Sequence, residues 1–97
     1  MKLRFTPRAT ADLEAIAAYI RDHNPAAAHR VRAAIYDSLK NLILFPYVGR
    51  LQQTERIRKL VTRQHAYLIY YTVDEVAEEI IILNIKHPAR RREHRDA

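Results

Sequence analysis

Hydrophobic positions fall into two regimes along this chain. They are spaced by three and four residues in the first half, and they alternate or run together in the second. Lys2 to Thr6 alternates, with Leu3 and Phe5 on one side, and predicts a short strand. Leu13, Ile16, Ala17 and Ile20 then recur at helical spacing, while Asp12, Glu14, Arg21 and Asp22 point elsewhere. That helix starts at a Thr6 cap followed by Pro7, and it stops at His23-Asn24-Pro25, because the residue before proline disfavours helical backbone. The same Asn24-Pro25 pair starts a second helix. Its apolar seam, Ala28, Val31, Ile35, Leu39 and Leu42, runs to about Phe45, with Arg30, Arg32 and Lys40 off it. So short a link requires an αα-hairpin.

Pro46 ends the second helix, and Tyr47 to Thr54 reads as a connection. It holds the chain's one glycine, Gly49, which predicts either a positive-φ turn or a close backbone approach. Three strand-like runs follow: Arg56 to Val61, Tyr67 to Val73, and Ile80 to Ile85. Thr62 to His65 turns the chain, and Asp74 to Glu78 suffices for a hairpin loop, without the Asn-Gly that would set its turn type. Neither face of Ile80 to Ile85 is polar until Asn84, so this strand is expected to be buried on both faces. The order is β-α-α-β-β-β. The expected class is α+β in two layers: an αα-hairpin packed on a four-stranded, mainly antiparallel sheet, with the first strand beside Ile80 to Lys86.

Composition narrows the function classes. The 97 residues are expected to form a single domain, 1–97, with 88–97 as a basic tail. Zero cysteines remove disulfides, thiol nucleophiles and thiolate metal sites. No signal peptide or membrane span is visible, so a cytoplasmic protein without membrane partners is expected. A formal net charge of +6 favours anionic partners, either nucleic acid or an acidic protein. The five histidines, His23, His29, His65, His87 and His94, show no ligand spacing, and no metal or cofactor is expected.

Metal-free RNA cleavage needs a base for the 2′-hydroxyl, an acid for the leaving oxygen, and cations around the phosphate. Glu55 or Lys59 are candidates for the base, and His87 or His65 for the acid. Arg56, Arg58 and Arg63 are candidates for the clamp. All are placed at strand ends of one sheet. The plainer reading is favoured on the residues alone, since half-exposed strands carry Arg and Lys at solvated positions and Arg90 to Arg92 read as a solvated run.

Several segments in order carry a family pattern. They are Ala11-Asp12-Leu13-x-x-Ile16-x-x-Tyr19-Ile20, Phe45-Pro46-x-x-Gly49-Arg50, Arg58-x-Leu60-Val61, Tyr67-x-Ile69-x-Tyr71, and Ile82-Leu83-x-Ile85-x-His87-x-x-Arg90. Together they resemble the RelE/ParE superfamily of toxins from type II toxin–antitoxin systems. The resemblance implies an αα-hairpin on an antiparallel sheet. It also implies growth inhibition and neutralisation by a cognate ParD-like antitoxin with an acidic C-terminal segment.

The ParE-like branch, which the 45–50 and 85–90 segments resemble more, lacks a complete catalytic set and poisons DNA gyrase. The alternative is a RelE-like, ribosome-dependent mRNA endoribonuclease, for which Arg58, Lys59, Arg63 and His87 would be the catalytic set. For the gyrase reading the expected target-binding residues are Arg56, Arg58, Arg63, Lys86, His87, Arg90 and Arg91. Tyr19, Tyr36 and Tyr47 are the expected antitoxin contacts. A plain basic nucleic-acid-binding module explains the charge but not the motif order.

Overall fold

The computed structural model describes residues 1–54 and 56–87. Its elements are β1 (Lys2–Phe5), α1 (Pro7–His23), α2 (Pro25–Leu44), β2 (Arg50–Leu51), β3 (Arg58–Val61), β4 (Leu68–Asp74) and β5 (Glu79–Lys86). Both helices begin as their cap residues dictate. Thr6 is extended (φ −68°, ψ 160°) and its Oγ1 accepts from the Ala9 N–H at 3.1 Å, satisfying one of the free donors of the first turn. Asn24 serves both helices. Its N–H donates to Ile20 O at 2.7 Å to close α1, and its Oδ1 accepts from the Ala27 N–H at 3.3 Å to open α2.

Val31, Ile35, Leu39 and Leu42 are the buried stripe of α2, as the seam predicted. On α1 the buried residues are Ala9, Ile16 and Ile20, with Leu13 packed at the margin; Ala17 is exposed instead of sharing that face. The helical stripes close on one face of the sheet over Ile69, Tyr71, Ile80, Ile82 and Ile85.

The sheet has five strands in the order β1-β5-β4-β3-β2, not four. The added strand, β2, lies within the stretch read as a connection. It pairs antiparallel with β3 through Arg50↔Lys59 and Leu51↔Arg58. Two residues carry no alternation that a sequence pattern can register. β1 runs parallel to β5, and the remaining neighbours are antiparallel. The expected run from Arg56 begins later, at Arg58, because Arg56 takes a positive φ of 64° and belongs to the turn.

β5 also departs from expectation. Ile80, Ile82 and Ile85 are buried under the helices, whereas Ile81 and Leu83 on the other face are only half-buried, so that face is covered less deeply, although Leu68 on β4 is buried there. The step from 82 to 85 comes from a register shift: Tyr71 pairs with Ile82 and Tyr70 with Asn84, which leaves Leu83 over. Such a bulge returns Ile85 to the core face.

β1 ends at Phe5, so the β5 edge beyond Ile82 needs other partners. Thr6 supplies the first, its N–H reaching Ile82 O at 3.1 Å and its Oγ1 lying 3.0 Å from Ile82 O and 2.8 Å from Leu83 O. Asp12, one and a half turns into α1, supplies the next by accepting the Ile85 N–H at 2.9 Å. The edge is thereby closed by side chains of the chain's own first helix.

No helix among the described residues is long and apolar enough to cross a membrane.

Candidate functional site

Strand alternation separates neighbouring cations onto opposite faces. Lys59 shares a register row with Arg50 and Tyr70, and the next row position on β5 is Asn84; these lie on the face away from the helices. Lys86 Nζ sits 5.1 Å from the Tyr70 ring centre, within range of a cation–π contact. Towards the far edge, Arg4 pairs with Glu79 at 3.2 Å. Arg58, one residue from Lys59, is in register with buried Tyr71 and faces the helical side.

There Arg58 is committed to the 45–49 connection. Its Nη1 donates to Tyr47 O at 3.1 Å and Gly49 O at 2.9 Å, and its guanidinium lies 5.1 Å over the Tyr47 ring. Tyr71 reaches the same segment from the core. Its hydroxyl donates to Pro46 O at 2.8 Å and accepts the Gly49 N–H at 2.8 Å.

This explains the glycine. No glycine has a positive φ, but a Cβ on Gly49 would stand 2.5 Å from the Tyr71 hydroxyl and 2.6 Å from Tyr71 Cε1. Close approach, rather than turn geometry, is what the position requires. Tyr47 completes the latch by donating to Glu75 in the β4–β5 turn. Burial raises the Tyr71 hydroxyl above its usual pKa, against the lowering effects of the Gly49 N–H and Arg58. The hydrogen bond to Glu75 raises Tyr47.

The other expected site residues lie at the opposite end of β3 or beyond. Arg58 to Val61 already covers about 10 Å of strand, and Arg63 and His65 follow in the turn after it. Arg63 helps line a groove of about 750 Å³ between α2 and β3, with Arg30, Ala34, Ser38, Leu60 and Val61. Lys86 and His87 border a recess of about 100 Å³ against Arg8 and Asp12 of α1.

The His87 ring packs edge-on against Tyr67 at 5.1 Å and Tyr19 at 5.7 Å, and Tyr19 in turn stacks on His23 at 4.0 Å. Tyr36 is exposed on α2. Glu55, Arg90 and Arg91, and the 88–97 tail, lie outside the described residues. The structure therefore brings Lys86 and His87 together. Arg58 stands apart from Arg63 and His87, and Lys59 is on the opposite face from Arg58.

Two features escaped the sequence reading. Asp12 had looked like a solvent-facing helix residue, and nothing in spacing marks a carboxylate that reaches a strand edge. The second is a cluster of exposed apolar side chains from Ile43 to Leu51. Its signal was present, since Leu42-Ile43-Leu44-Phe45 is too continuous to fit one helical stripe.

Comparison with known proteins agrees with this fold. Residues 3–92 match the model of the family described as the ParE toxin of the type II toxin–antitoxin system parDE. Toxin RelE2 of Caulobacter vibrioides is 36% identical over 86 residues, covering 89% of this chain and 93% of that protein. Among solved structures, the chromosomal ParDE system from P. aeruginosa superposes with a TM-score of 0.76 at 27% identity, covering 90% of this chain and 95% of that one. The intact E. coli RelBE toxin–antitoxin complex shares the fold, with a TM-score of 0.66 at 16% identity over 87% of this chain and 92% of the other. The chain belongs to the ParE toxin family of type II toxin–antitoxin systems, within the RelE/ParE superfamily.

Proposed function

We propose that this toxin acts in the ParE manner, arresting growth in the cytoplasm by binding DNA gyrase rather than by cutting RNA, and that a cognate antitoxin neutralises it. The observation that supports this reading is the commitment of Arg58. A phosphate clamp presents two guanidinium nitrogens to its ligand, and Arg58 already donates Nη1 to two backbone carbonyls and lies over a tyrosine ring, which counts against it both as a clamp and as a gyrase contact. With Lys59 on the opposite face and Arg63 and His87 beyond the other end of β3, the described candidates do not gather an acid, a base and a cation around Arg58.

The antitoxin finds a suitable groove between α2 and β3. Small side chains there let a partner backbone approach, and Arg30 and Arg63, which outnumber the groove's one acid Asp37, meet acidic residues. The RelE-like reading has its own support in the row Lys59, Tyr70 and Asn84 with Lys86 beside it, a cationic patch on the sheet face away from the helices. The deciding experiment is a supercoiling assay with purified gyrase. Loss of supercoiling at modest toxin excess is expected. Unchanged supercoiling at high excess, together with cleavage of mRNA on stalled ribosomes, would transfer the protein to the RelE mode.

A further inference from the structure

Exposed apolar side chains are unremarkable when scattered, but a contiguous group marks an interaction surface. Here Leu44, Phe45 and Leu51 are 72%, 59% and 58% exposed, with Ile43 and Val48 also open between them. Tyr36 lies seven residues before Ile43, two turns away on the same line of α2, and extends the patch along the helix. The result is a ledge formed by the end of α2, the connection and β2.

This ledge is held in place. Arg58 anchors two of its carbonyls, Tyr71 anchors Pro46 O and the Gly49 N–H, and Tyr47 ties it to Glu75. The most heavily bonded network among the described side chains therefore fixes a segment whose own side chains point to solvent. A surface fixed in advance loses little entropy when a partner arrives. The family-pattern residues Gly49, Arg58 and Tyr71 act as its positioning residues.

Charge selects the occupant. Arg50 lies within the ledge, Arg56 follows across the β2–β3 turn, and Lys40 lies one turn before Leu44 on α2. Of the acids nearby, Glu75 is already engaged by Tyr47, and Asp37 stands at the far end of the patch beside Tyr36, so the cations prevail around Leu44 to Leu51. A second copy of this chain would set Arg50, Arg56 and Lys40 against the same residues, on molecules each carrying +6. Strand addition is also ruled out as the main grip, because β2 has only two residues.

We infer that the ledge docks an acidic segment that brings large apolar side chains, and that the segment is the antitoxin's anchor. This rests on the toxin reading above and adds a second contact area to the α2–β3 groove. Apolar contacts at Leu44, Phe45 and Val48 set the lifetime of the complex, while Arg50 and Arg56 speed its formation.

The test uses the full chain and the purified antitoxin encoded beside its gene. Leu44→Asp and Val48→Asp are each expected to weaken binding by about 30-fold or more, chiefly through faster dissociation, with unchanged melting temperature. Arg50→Glu is expected to slow association at low salt and leave dissociation alone. Ala17→Glu is the control: Ala17 is exposed on α1, outside the end of α2, the connection and β2 that form the ledge, and the variant should bind like wild type. Ledge variants that bind within about threefold of wild type overturn the ledge alone, since threefold is below the loss of one well-packed contact. So does a toxin dimer that Leu44→Asp dissociates. A wild-type chain that fails to bind the antitoxin overturns the toxin reading together with it.

Discussion

Replacing Tyr71 by phenylalanine removes one oxygen that bonds twice to the 46–49 connection. The ring stays, so no cavity of consequence forms, and the cost reduces to hydrogen bonding. Tyr71 is 0% exposed, and its hydroxyl holds both Pro46 O and the Gly49 N–H at 2.8 Å. Gly49 is itself buried, so its N–H is left without a partner. Losing two neutral hydrogen bonds at about 1 kcal/mol each, with an orphaned donor included in that range, gives a destabilisation of about 2–3 kcal/mol. For a domain of this size that lowers Tm by about 8–24 °C. Urea denaturation of both proteins, read by circular dichroism, should show a lower midpoint with an unchanged slope.

A second signature is pH. Burial raises the Tyr71 pKa in the folded state above its usual 10.0. Above pH 10 the unfolded chain therefore holds fewer protons than the folded one, and stability falls as pH rises. The variant should lose stability less steeply there. A Tyr71→Phe protein within about 0.5 kcal/mol of wild type, below the net worth of a single hydrogen bond, would refute the role given to this hydroxyl.

Two further substitutions probe the same packing logic. Gly49→Ala places a Cβ 2.5 Å from the Tyr71 hydroxyl, in a backbone conformation alanine itself tolerates, so the expected loss of about 1–3 kcal/mol is purely steric. Adding Tyr71→Phe should not restore stability, because Tyr71 Cε1 is also too close, at 2.6 Å; full recovery of the double variant in thermal melts would contradict the geometry. Asp12→Ala frees the Ile85 N–H and should cost about 1–3 kcal/mol, with faster amide exchange concentrated at Ile85. Asp12→Asn keeps an acceptor and should retain most of the protection; equal losses would show that the bond does not matter.

The parts of the fold that repeat were legible in the sequence. Val31, Ile35, Leu39 and Leu42 announced α2 by spacing, and Thr6-Pro7 and Asn24-Pro25 announced both helix starts by cap chemistry. The pairing of β1 with β5 followed from where the most apolar strand had to sit. What escaped depends on single long-range contacts. β2 exists only because the anchored connection lies against β3, and two residues have no period. The shallower burial of one face of β5 escaped because Ile81 and Leu83 are apolar yet only half-buried. Among the candidate site residues, composition could pick out Arg58 and Lys59 but not that alternation sends them to opposite faces. Arg58 looked like a ligand-binding cation and is instead a buttress for the chain's own backbone.

The most direct test of the mode of action is gyrase-dependent DNA cleavage with the wild type and a Lys59→Ala variant. Lys59 shares a sheet row with Tyr70 and Asn84 and belongs to the candidate ribonuclease set but not to the expected gyrase contacts. The substitution would disable a ribonuclease site that used this residue. If the toxin works by gripping gyrase through a protein surface, both proteins trap cleaved DNA to similar extents and neither cuts mRNA in stalled ribosomes. A wild type that traps no cleaved DNA but cuts ribosome-bound mRNA, with a Lys59→Ala variant that does neither, would contradict the ParE mode.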